Sequence, residues 1–214
     1  MNLSDIDFYI IFDLFLLLLI GMGPKIALVP FLELTQGMEA DTQKQVANRM
    51  VRTALSTALL LVVLGWFLMR LLHFTPGAAN IAGGVVLLLL ALHMLISPGR
   101  TDHQERASER DPMQMAVYPL AVPFLLNPAG IAALVIASDE IHSLLSAIAV
   151  IGLVLIVGAI DFAVFRNMDK LAKYLDPSRL AVTEAVFGVL LAALAVQLMV
   201  EGLADLGIID AIAH

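Results

Sequence analysis

The 214-residue chain is 60% hydrophobic and 14% charged, with a mean hydropathy of +0.93, which excludes an ordinary soluble domain and indicates a polytopic membrane protein. A net charge of −7 leaves no concentrated basic surface for a nucleic-acid partner. The chain has no cysteine, so disulfides and thiolate metal sites are excluded.

A membrane span needs about 20 mostly apolar residues, and six runs qualify. The first is 7–34; the opening residues "MNLSDIDFY" lack a basic start, and no small-residue cleavage pattern follows the apolar run, so the run is expected to stay in the membrane. It is interrupted at "GPKIALVPF" (23–31). Pro24 removes a backbone donor and should start a new half-helix after Gly23. Lys25 lies within the same run, and a central lysine costs about 2.5–3.5 kcal/mol on the insertion scale. Three readings stay open for it: snorkelling to the interface, a structural ion pair for which Asp161 is the nearest candidate by depth, and a role with ligand or proton.

The second and third runs, 51–72 and 78–96, are connected by few residues. In "AANIAGGVVLLLLALHML" (78–95), Ala79 and Gly83, and Asn80 and Gly84, lie four apart on adjacent stripes suited to close helix contact. A hydrophilic linker, 97–114, follows. The fourth run, 115–137, contains "YPLAVPFLLNPAG" (118–130), whose three prolines exclude a simple helix. Asn127, Pro128 and Gly130 fall at its centre. This second break reads either as a sealed kink capped by Asn127 or as a lining for solute. The fifth and sixth runs are 144–165, with Asp161 in its inner half, and 181–203, where Gly188 and Ala192 repeat the small-residue spacing.

Basic residues set the orientation. Lys44, Arg49 and Arg52, then Arg100, Arg106 and Arg110, then Arg166, Lys170, Lys173 and Arg179 follow runs one, three and five. The linker is therefore expected in the cytoplasm, and both termini outside it. Three spans per half reverse the start of the second half, an inverted-topology arrangement. The expected architecture is an all-α membrane protein of six transmembrane helices. It comprises two inverted three-helix repeats, 1–96 and 115–214, joined by the linker 97–114, with helices one and four broken at proline.

The segments "IAGGVVLLLLALHML" (81–95) and "YPLAVPFLLNPAGIAALVIAS" (118–138) resemble the MarC family of bacterial inner-membrane proteins, which is grouped with small neutral-amino-acid transporters. The resemblance covers most of the chain and implies an inverted repeat and solute transport in the cytoplasmic (inner) membrane. The sequence departs from the family pattern at Gly23, where an acidic or amide residue is usual, at Lys25, and at Asn127, which replaces a glycine.

Half-helix N-termini carry unpaired N–H groups and about half a positive charge. Two such ends meeting near the midplane favour a carboxylate. The leading expectation is thus a secondary transporter for a small carboxylate-bearing solute, an amino acid among the candidates. Gly23, Pro24, Lys25, Asn127, Pro128 and Gly130 form its site, with Asp161 as a charge partner. A channel or passive exporter, and a non-transporting membrane scaffold with sealed breaks, are the alternatives. No nucleophile, base and carboxylate set shares a depth and no metal-ligand cluster is visible, so no enzyme, cofactor or metal is expected. Partners are the solute and membrane lipids; small-residue stripes serve contacts within one chain or in a homo-oligomer equally.

Overall fold

The computed structural model describes residues 8–96, 111–139, 141, 143–168 and 177–209. Residues 97–110 and 169–176, and with them Arg100, Arg106, Arg110, Lys170, Lys173 and most of the expected linker, lie outside the described residues, as do the side chains of Asp13, His93, Arg179 and Glu184.

The described elements are helical throughout. They are α1 (Phe8–Met22), α2 (Pro24–Leu34), α3 (Ala40–Leu72) and α4 (Pro76–Ile96); then a single turn, Pro112–Met115, opening into an irregular widened coil, Ala116–Leu125; then α5 (Pro128–Asp139), α6 (Leu144–Arg166) and α7 (Pro177–Asp205). Among the described residues, four segments are long and apolar enough to cross a membrane: Leu14–Leu34, Ala40–Leu72, Leu144–Arg166 and Gly188–Asp205. A fifth arises if Pro112–Leu125 and Pro128–Ser138, bent by 71°, count as one span. The third expected span, at 78–96, is represented among the described residues by the shorter apolar helix Pro76–Leu92.

Helix α3 begins at Ala40, well before the expected 51, because its first turns are amphipathic. Val46, Ala47 and Met50 are buried while Asp41, Lys44 and Arg49 are exposed. Its 33 residues reach about 50 Å at 1.5 Å per residue, well beyond a hydrocarbon core of about 30 Å.

The half-helix α5 sits centrally, against α1, α3 and α4. The main apolar cluster joins α1–α3, the irregular coil, α5 and α6 through Met22, Phe31, Met50, Leu120, Leu134 and Val157. A smaller cluster joins α2, α4, α5 and α7 through Ile26, Leu87, Ala129, Leu191 and Ala195. Leu60, Val63, Phe67, Leu89, Val189 and Leu190 remain exposed, an apolar exterior suited to lipid.

Helices α4 and α7 run antiparallel along a seam of small residues: Gly77 meets Gly202, Gly84 meets Ala195, and Gly188 meets Ala91. Asn80 Nδ2 donates to Asp205 Oδ2 at 3.2 Å across one end of this seam. The two expected stripes on α4 serve different neighbours, since Gly83 faces Pro128 and Ala132 of α5 instead. Lipid supplies no hydrophobic drive between helices, so van der Waals contact at this range is what holds such a seam. A Cβ at Gly84 would lie 2.7 Å from the Ala195 carbonyl oxygen, whereas one at Gly152 meets nothing within 4 Å. Gly84→Val should therefore destabilise the protein by about 1–3 kcal/mol in detergent thermal unfolding, while Gly152→Ala should stay within about 0.5 kcal/mol of wild type.

Candidate functional site where the two breaks meet

Each break follows from proline chemistry. Helix α1 stops at Met22, Gly23 is extended (φ −86°, ψ 165°), and Pro24 opens α2 at its first position, where a missing N–H costs nothing. A side chain at Gly23 would strike the Leu19 carbonyl oxygen. In the irregular coil, Tyr118 and Val122 are extended, as residues before proline are driven to be. Leu126 (φ −95°, ψ 94°) leads to Asn127, and Pro128 opens α5. The expected half-helix starts at Pro24 and Pro128 are thus both present.

The two breaks are in contact. In an unbroken helix the Ile20 carbonyl would accept from residue 24, but Pro24 has no N–H to give. Asn127 supplies the missing donor: its Nδ2 donates to Ile20 O at 2.9 Å, and its backbone N–H donates to Gly21 O at 2.9 Å. Asn127 Oδ1 accepts from Gly130 N at 3.0 Å, which caps the first turn of α5. Asn127 is fully buried, and one side chain satisfies the backbone of both breaks. The backbones of Gly21 and Gly130 touch, and a Cβ on either would overlap the backbone of the other.

Gly23, Pro128 and Gly130 are buried and Pro24 is half-buried; of the expected site residues, Asn127 and Gly130 make the contacts across the junction, to Ile20 and Gly21. Lys25 follows Pro24 but is exposed, while Ile26 and Ala27 after it are buried. Asp161 is fully buried on α6, and neither of its oxygens has a partner. The Lys25–Asp161 ion pair, one of the three readings for Lys25, is therefore not formed, because one group faces outward and the other inward. The N-terminus of α2 has no side-chain cap, unlike that of α5. Among the described residues no group of three or more metal-ligating side chains is found.

Ile20 and Gly21 were not among the expected site residues. Their signal was nevertheless present: each lies four residues before a position at the break, so each carbonyl must seek a partner elsewhere.

The chain matches the family described as MarC family integral membrane protein over residues 8–206. It belongs to the MarC family. This MarC protein is a multi-pass integral membrane protein, similar to the UPF0056 membrane protein YhcE of Escherichia coli (24% identical over 204 residues, 92% of this chain and 93% of YhcE). It is also similar to UPF0056 membrane proteins of Methanocaldococcus jannaschii (25% over 184 residues, 85% and 90%) and Pyrococcus abyssi (23% over 184 residues, 85% and 88%). No solved structure matches.

Because backbone meets backbone at Gly21 and Gly130, neither side can yield as a flexible side chain would. Gly130→Ala is expected to cost about 3 kcal/mol, the upper part of the overpacking range. Thermal unfolding in detergent, set beside Gly152→Ala, measures it.

Proposed function

We propose that this MarC protein is a secondary transporter for a small carboxylate-bearing solute, bound where the two broken spans meet. The carrying observation is the hydrogen bonding of Asn127 to Ile20 and Gly21, which brings irregular backbone from both halves of the chain to one buried point. Irregular backbone inside a membrane is tolerated where protein seals it or where it lines a solute path. The first break falls near the middle of the Leu14–Leu34 span, the depth at which carriers with broken helices hold their substrates.

Two inverted three-helix repeats are part of this reading, α1/α2, α3 and α4 against irregular coil/α5, α6 and α7. The pattern of neighbours supports it. The third helices of the two halves, α4 and α7, pack together, as do the second, α3 and α6. The broken spans pair reciprocally, α1 with α5 and α2 with the irregular coil, as a two-fold axis in the membrane plane requires. The distribution of positive residues along the sequence supports a cytoplasmic linker with both termini outside the cytoplasm.

In the closed junction Asn127 Nδ2 is engaged by Ile20 O. Movement of one half against the other exchanges that contact for a solute carboxylate, held by Asn127 and by the uncapped first turn of α2. Lys25, exposed on the same turn, adds positive potential without touching the junction.

Thermal unfolding of the purified protein with amino acids, other carboxylates and inorganic anions tests the site. At least one carboxylate should stabilise the wild type, and Asn127→Ala should weaken that effect about 10- to 100-fold, the range for a hydrogen bond to a charged group. Stabilisation by no carboxylate, or an unchanged effect in Asn127→Ala, contradicts the site. Reconstituted protein should show saturable uptake with counterflow of labelled solute; conductance without counterflow contradicts the carrier.

A further inference from the structure

Among the described residues, three buried side-chain polar atoms lack a hydrogen-bond partner: Asn48 Oδ1 and both carboxylate oxygens of Asp161. All three are oxygen acceptors, and they belong to two helices that face each other.

Helices α3 and α6 pack antiparallel. Gly158 lies against Leu55, with a Cβ there 2.9 Å from Leu55 Cδ1, while Phe162, Phe165 and Arg166 border a cavity with Lys44, Asn48 and Val51. Asp161 lies between Gly158 and Phe165 on one stripe of α6, at i+3 and i−4 from them. That position puts it opposite the α3 stretch between Leu55 and Asn48, about one helical turn inward of the cavity. The cavity has a volume of about 320 Å³. Phe31 of α2 stacks edge-on against Phe165 at 5.2 Å between ring centroids.

Buried acceptors without donors are costly, and acceptors on facing helices can be completed by a cation or a donor-rich cationic group. We propose that Asp161 and Asn48 form a subsite for one monovalent cationic group between α3 and α6, inward of this cavity, either a free alkali cation or the ammonium end of a solute. The ammonium alternative rests on the transport reading above; the free-ion alternative does not. Surrounding charges favour the ammonium. Lys44 lies at the cavity and Arg166 stacks over Phe162 at 5.8 Å from the ring centre, so a ligand carrying its own carboxylate passes this mouth more readily than a bare cation. Glu33 and Lys25 are the charged residues of α2, one half-buried and the other exposed. Leu55, seated on Gly158, closes the seam beyond the site.

The test is thermal unfolding of the full chain in detergent at constant ionic strength, titrated with sodium chloride, methylammonium chloride or choline chloride. Choline is the control for ionic strength and is too bulky for a buried carboxylate. Stabilisation by sodium above choline identifies the free-ion source, and by methylammonium above choline the ammonium source. Asp161→Asn should weaken either effect about 10- to 100-fold, as expected for a lost contact to a charged group. Asn48→Asp should strengthen it and Asn48→Leu should weaken it, which keeps the test decisive if Asp161→Asn does not fold. Equal behaviour of sodium, methylammonium and choline on the wild type overturns the proposal, as does an unchanged effect in these variants. Choline propionate reads the carboxylate site at the breaks separately. Loss of its effect with the cation effect intact removes the earlier reading and leaves this one standing.

Discussion

The structure depends on one hydrogen bond that proline cannot make. Pro24 leaves the Ile20 carbonyl without its helical donor, and Asn127, from the other half of the chain, fills the gap. Unsatisfied backbone is too costly to leave buried in lipid, so this contact fixes α1 against the start of α5. The Gly21–Gly130 contact then follows from their closeness, and α5, pinned at its first turn, becomes the helix around which α3 and α4 pack.

The two breaks are alike in origin and unlike in finish. Asn127 caps the turn it begins by accepting from Gly130, whereas Gly23 has no side chain with which to cap α2. Helix-terminal positive charge is therefore better neutralised within the protein at α5 than at α2. In the transport reading proposed above, a solute carboxylate would have more to gain at α2 than at α5. A single side chain, that of Asn127, bridges both breaks.

Much of this was legible in the sequence for a local reason. Proline's missing donor and fixed φ announce Pro24 and Pro128 as helix starts wherever they stand, and the small-residue stripes of α4 announce close packing. What depends on register between distant helices was not legible. Nothing near Asn127 in the chain names Ile20 as its partner. An ion pair of Lys25 with Asp161, one of the three readings open for that lysine, is not formed for a related reason. In runs apolar on every side, hydrophobic periodicity no longer marks an inner face, so depth could be estimated but helical phase could not. Phase is what sets Lys25 outward and Asp161 inward. The amphipathic start of α3 carried a real periodic signal, at Val46, Ala47 and Met50, but a reading guided by apolar runs alone passed over it.

The most direct measurement is a double-mutant cycle on thermal stability with Pro24→Ala and Asn127→Ala. If Asn127 supplies the donor that Pro24 lacks, restoring an N–H at residue 24 gives Ile20 a helical partner. Asn127→Ala should then cost about 1 kcal/mol less in the Pro24→Ala background than in the wild type. Strict additivity, within about 0.5 kcal/mol, would contradict the account, because the two residues would then be solving separate problems.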